Sequence, residues 1–314
     1  MLNGKRFILI LPYGPGGGFD SYARLFTTQS EAFTGSSMLI RYMPGAGTMI
    51  GVNALVEAGP SDLVLGLFNP NVLLNDMILG RDSQELSSLI FLASLYTENI
   101  AWVTRRDNPM LLESSETRLF AMASNTDFAR ILLPGYALGW NTNLVRGYSG
   151  SSEALLAVLR GDVDYFYLGA ASLSNQIKSM GGLKTFVSLS EGPSPFLPEA
   201  LYLAGAGGLV EQLSSELNVE QQRERQEIAR LTVELAKIHR AISISSGADS
   251  KLVDCLSTIV ETVTFSDEMR AAAGALNLVI EPKNGAEFQA EMDRIEAMIE
   301  SNWELLQELA NRSR

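Results

Sequence analysis

Short aliphatic runs alternate with amphipathic stretches along most of this chain, the pattern that βα units around largely parallel sheets produce. The apolar runs predict strands at Arg6–Leu11, Met38–Tyr42, Leu63–Phe68, Leu89–Leu95, Ile100–Thr104, Leu119–Ala123, Leu144–Tyr148, Val163–Leu168, Thr185–Leu189 and Leu276–Ile280. Helices fill most of the gaps. After Asp20, for example, Tyr22, Ala23, Phe26 and Phe33 recur at helical spacing beside Phe19. Beyond Gly208 the strands nearly stop, and Asn284–Asn311 is the longest continuous helical candidate. Residues 219–240, VEQQRERQEIARLTVELAKIHR, space Ile228, Leu231, Leu235 and Ile238 three or four apart among charges. That predicts one long surface helix with a single apolar stripe, packed on its own domain or holding a partner. The turn-like Asp107-Asn108-Pro109, within residues 105–116, marks the first crossing out of the amino-terminal domain. No internal repeat or low-complexity segment stands out.

At 314 residues the chain has room for two domains, each with a core of its own. The net charge of -12, with no dense Lys/Arg cluster, argues against a nucleic-acid surface. Cys255 cannot form an internal disulfide and reads as a small buried residue on a helix. The longest apolar runs fall far short of a membrane span. Met1–Gly4 lead straight into a strand with no signal-peptide pattern, so the chain is either cytoplasmic or the mature form left after a leader is removed.

Two loops carry the chemistry. In LPYGPGGGFDSYARLF, residues 11–26, four glycines sit between a strand and a helix. Free amides of a first helical turn favour an anion, and glycines let a ligand approach the backbone. The phosphate patterns do not fit, because Gly18 is followed by Phe19 and Asp20 rather than Lys-Ser/Thr and no G-x-G-x-x-G register runs through the loop. A second loop, in RYMPGAGTMIGVNALVEA at 41–58, repeats the strand-glycine-helix design. Two such loops at the carboxyl ends of neighbouring strands lie where open α/β sheets bind ligands; tight turns with glycine merely for packing are the plain alternative.

The wording PYGPGGGFDSYAR followed by MPGAGTMIG resembles the extracytoplasmic solute receptors of tripartite tricarboxylate transporters, the Bug family. RGYSGSSEALLAVLRGDVDYFYLG at 146–169 and GAEFQAEMDRIEAMIESNW near the end are similar to later family segments. Thr48 stands where the family usually has glycine, Pro60, Ser61, Asp62 and Leu63 replace its Pro-Asp-Gly-Tyr-Thr, and the 219–240 helix exceeds the expected connection. The resemblance implies an α/β fold, a two-domain periplasmic-binding-protein-like clamshell of type II, each domain a mostly parallel sheet flanked by helices. Domain I would comprise residues 1–104 and 242–314, and domain II residues 105–241 with the extra helix. It also implies a periplasmic receptor, not an enzyme, that delivers a small organic carboxylate to membrane transporter subunits; a sensor of the same fold signalling to a membrane partner is the alternative. Neither nucleic acid nor a cofactor enters this expectation.

In domain I the expected ligand contacts are Tyr13, Gly17, Gly18, Ala46, Gly47 and Thr48, whose hydroxyl could instead cap the following helix. Asp20 is either a first-turn acid favoured by the helix dipole or a polar anchor for the loop or for a ligand amine or hydroxyl. In domain II the expected contacts are Ser124, Asn125 and Thr126, then Tyr148 and Ser149, then Gly169 and Ala170. Catalytic and metal motifs are missing: the single histidine, His239, reads as a surface residue of the long helix, and no Cys/His spacing suggests zinc.

Overall fold

The computed structural model describes residues 4–81, 84, 86–109, 112, 116–122, 128–148 and 151–312. The chain divides into two compact units, Met1–Thr97 with His239–Ala297 and Glu98–Ile238 with Met298–Arg314. The divisions at 97/98 and 238/239 precede the 104/105 and 241/242 expected from sequence, and the last helix groups with the second unit.

In chain order the strands of the described residues are β1 (Arg6–Leu11), β2 (Ser37–Tyr42), β3 (Val64–Phe68), β4 (Leu89–Glu98), β5 (Ile100–Arg105), β6 (Arg118–Ala121), β7 (Thr142–Val145), β8 (Tyr165–Gly169), β9 (Leu183–Ser188), β10 (Leu201–Tyr202), β11 (Ile238–Ser245) and β12 (Lys283–Asn284). They form two six-stranded sheets, β12-β4-β11-β3-β1-β2 and β10-β9-β5-β8-β6-β7. The two sheets share the arrangement of their central strands. β1 pairs in parallel with β2 and β3, as β6 does with β7 and β8; β11 then runs antiparallel to β3, as β5 does to β8. The edges differ, β12 being antiparallel to β4 and β10 parallel to β9.

Helix α1 (Gly18–Thr34) follows β1, and α2 (Met49–Val56) follows β2. Phe7, Leu9, Ile10 and Leu11 of β1 are all buried, the near-continuous apolar run of a strand covered on both faces. Unit 2 has an aromatic core. Trp102 packs edge-on to Phe120 at 4.6 Å, Trp140 stacks on Phe186 at 5.3 Å, and the buried Trp102 indole donates to the Arg130 carbonyl at 2.7 Å.

Five sequence expectations are corrected. The helix expected at 219–240 runs Val219–Ala236, and Lys237, at ψ 147°, turns the chain into β11. The polar pair His239-Arg240 disguised that strand; both residues are buried in it, so His239 is no surface histidine. Residues 276–280 form no strand, because the helix Asp267–Ala275 exits through Leu276 and a left-handed Asn277 (φ 54°). The long terminal helix breaks at Asn302 into Gly285–Ser301 and Trp303–Arg312. Cys255, on the helix Ser250–Thr264, is only half-buried. No described helix is long and apolar enough to cross a membrane.

Candidate functional site

β1 and β2 run side by side with Leu11 opposite Tyr42, so the glycine loops that follow them leave the same edge of the unit 1 sheet as neighbours. They are also packed together. A Cβ on Gly51 of α2 would stand 2.9 Å from the Pro12 Cβ and 3.1 Å from the Met43 carbonyl, a closeness that only glycine allows.

Asp20 anchors the first loop. Its carboxylate accepts from the Gly16 amide at 2.8 Å, the Tyr42 hydroxyl at 2.7 Å and the Arg24 Nε at 3.0 Å, and Arg24 Nη2 donates to the same Tyr42 hydroxyl at 2.8 Å. Burial alone would raise its pKa, but those three donors outweigh it and hold the carboxyl below its ordinary value. The network ties the start of α1 to the end of β2. It leaves the amides of Gly17, Gly18 and Phe19 in no hydrogen bond among the described residues. Gly17 and Gly18 are exposed, and nothing lies within 4 Å of where Cβ atoms on Gly14, Gly16 and Gly17 would sit.

The second loop is strained. Gly45, Ala46, Gly47 and Thr48 take φ of 126°, 45°, 63° and 89° in succession, a left-handed run that L side chains resist. Holding Ala46 and Thr48 there costs on the order of 1–3 kcal/mol each, and such strain concentrates at ligand clamps. The Ala46 and Gly47 amides also enter no hydrogen bond among the described residues. The Thr48 hydroxyl does not cap α2; it is buried and finds no partner among the described residues.

The loop after β3 completes this edge, and sequence reasoning passed over it. Buried Asn69 donates its amide to the Tyr13 hydroxyl at 3.2 Å and accepts the His239 amide at 3.1 Å through Oδ1. Tyr13 in turn stacks on Phe19 with ring centroids 4.1 Å apart. The His239 ring shares a hydrogen bond of 3.0 Å with Thr97 and meets Phe288 edge-on. Arg240 lies beside the Ala241–Phe68 pair, at the carboxyl end of β3.

The equivalent loops of unit 2 follow β6, β7 and β8. Ser124, Asn125, Thr126 and Ser149 lie outside the described residues. Tyr148 packs half-buried on the unit 2 core, where burial, with Asp162 and Glu153 near, pushes its hydroxyl pKa up. Gly169 and Ala170 end β8 and begin the helix after it, where two amides already have partners. The Ala170 amide donates to the Asn99 carbonyl at 2.9 Å, and that of Ala171 to buried Glu98 at 2.9 Å. Gly169 is glycine because its Cβ would collide with the Glu98 carboxylate, which occupies this helix terminus from within. Among the described residues no group of three or more acidic, His or Cys side chains could hold a metal ion.

Two six-stranded mixed sheets flanked by helices, the first with two glycine loops at its carboxyl edge, make an α/β fold, and solved structures share it along nearly the whole chain. A TctC solute binding protein from Polaromonas superposes with a TM-score of 0.68 at 18% identity, covering 98% of both chains. MatC from Rhodopseudomonas palustris, with bound malate, gives 0.69 at 19% identity over 98% of this chain and 99% of that one. The periplasmic binding protein BugD gives 0.68 at 16% identity over 97% of both. No protein-family model matches the sequence, and no curated protein matches it. The chain has the two-domain fold of the Tct and Bug solute-binding proteins.

Proposed function

We propose that this chain is an extracytoplasmic, non-catalytic solute receptor that takes a small organic carboxylate on its glycine loops and delivers it to a tripartite tricarboxylate-type membrane transporter. The observation that carries the reading is the set of unused amides on two adjacent loops: Gly17, Gly18 and Phe19 on one, Ala46 and Gly47 on the other. A carboxylate accepts only, and such a set only donates. The Thr48 hydroxyl and the Tyr13 ring belong to the same two loops and flank them.

The magnitudes are sufficient. Micromolar affinity requires about 8 kcal/mol, and hydrogen bonds to a charged group contribute roughly 1.5–3 kcal/mol each. The bound malate of MatC is a ligand of this class. A transport role also fits the helix Val219–Ala236 better than a signalling one, since its stripe of Ile228, Leu231 and Leu235 is buried within unit 2.

Thermal unfolding against a millimolar panel of mono-, di- and tricarboxylates, aliphatic and aromatic, tests the reading. A ligand at about 100 times its Kd adds roughly 2.7 kcal/mol, a rise of several degrees for a chain of this size. A shift confined to one chemical group names the ligand class. No shift from any carboxylate, with native mass spectrometry finding none already bound, removes the proposal.

A further inference from the structure

We infer that unit 2 carries a second ligand site, in the cleft between the turn after the helix Leu133–Ala137 and the first turns of the helix Val219–Ala236. It takes a small zwitterion of the α-amino-acid class, with Arg225 on the carboxylate and Glu224 on the ammonium. The inference does not depend on the receptor reading, and it concerns the helix that exceeds the connection expected from the family resemblance.

The buried apolar stripe of that helix begins only at Ile228. Before it, Gln221, Glu224 and Arg225 join Tyr136 and Asn141 in lining a cleft of about 440 Å³, a size within the range of small-molecule sites. Arg225 is half-buried, yet it makes no hydrogen bond or ion pair with any described residue. Its guanidinium fills the space left by a missing side chain: Nη1 and Nη2 stand 2.6 and 2.8 Å from where a Gly139 Cβ would be. Glu224 is held on one side only. Its Oε1 accepts from the Tyr136 hydroxyl, and its Oε2 has no partner among the described residues.

Opposite charges so close in sequence do not pair here, because consecutive helical positions lie about 100° apart and do not face each other. A ligand that carries both charges bridges what the helix keeps apart. A simple anion would meet the Glu224 charge as well as Arg225, and a simple cation would meet Arg225 as well as Glu224, so each is disfavoured against a molecule bearing both. The Gln221 and Asn141 carboxamides can both donate and accept, which suits a polar side chain on that molecule.

Isothermal titration of wild type, Arg225→Gln and Glu224→Gln with L-glutamine, N-acetyl-L-glutamine and L-glutaminamide tests the inference. Both variants should keep the thermal midpoint of the unligated protein, since Arg225 has no protein bond to lose and a glutamine at 224 still accepts from Tyr136. Wild type should bind L-glutamine. Removing either charge should weaken that binding about tenfold or more, whether it is taken from the protein by substitution or from the ligand by acetylation or amidation. The two blocked ligands need no variant, so the result holds if a substitution impairs folding. Malate bound on the glycine loops should be indifferent to both substitutions, so the two sites stand or fall separately. If wild type binds none of the three compounds at millimolar concentration, or if both folded variants bind L-glutamine within about twofold of wild type, the cleft is no amino-acid site and the inference fails. Equal binding of the acetylated compound would mean an anion site and would overturn the zwitterion assignment.

Discussion

At the scale of single residues, Asp20 anchors the first glycine loop, because its carboxylate is engaged by Gly16, Arg24 and Tyr42. Its pKa is lowered by folding, so its contribution to stability is fully present above the unfolded value near 3.8 and is lost as pH falls through the still lower folded value. Wild type should therefore exceed Asp20→Asn in stability by a constant margin from neutral pH down to about pH 5, and the margin should shrink below about pH 4. Urea unfolding of both proteins along that pH series checks this; a margin unchanged at the acid end rejects the network. Asp20 and the glycines could be picked out by eye, since the spacing from strand to helix leaves them little freedom. Arg240, His239 and Asn69 could not. A histidine and an arginine side by side read as surface, whereas tertiary partners such as Thr97 for His239 and the rings under Arg240 help make their burial tolerable.

Elements were legible where one apolar run made one strand. β1 falls where its pattern predicts, and β2, β3, β5 and β8 shift by a residue or two. Two other sorts of element failed. β11 opens with a polar pair that breaks its apolar run, whereas Leu276–Ile280 has the apolar letters but needs its first residues to leave a helix. What joins the elements of the site is α2 lying on the loop after β1. Gly51→Ala should place a methyl group against Pro12 and the Met43 carbonyl, neither of which can rotate away, and destabilise the protein by about 1–3 kcal/mol. It should also lower carboxylate affinity, because the second loop can relieve the clash only by moving off the first. Urea unfolding and titration of this one variant measure both effects. If stability falls and affinity does not, the loops act separately.

At the scale of the whole molecule, the shared arrangement of central strands in the two sheets left no trace as a repeat in the sequence, because topology constrains where apolar residues recur and not which ones they are. Charge, by contrast, is a whole-chain property that sequence alone supplies. A net charge of -12 surrounds a site proposed to take anions, so distant field and local donors act in opposite senses. Beyond a Debye length of about 10 Å at 0.1 M salt an approaching dianion is largely screened from the protein, while at about 0.01 M the length grows to 30 Å and the dianion meets the net negative charge. Association of a dicarboxylate should therefore speed up as salt is raised over this range, the reverse of ordinary steering toward a cationic pocket. Dissociation should change less, since a ligand on the loops senses their amides at contact distance, where screening is weak. Stopped-flow binding at constant pH separates the two rates. An association rate that falls with salt would mean that cations beside the loops, such as Arg24, govern the approach, and that the acidity of the rest of the chain is too distant to be felt.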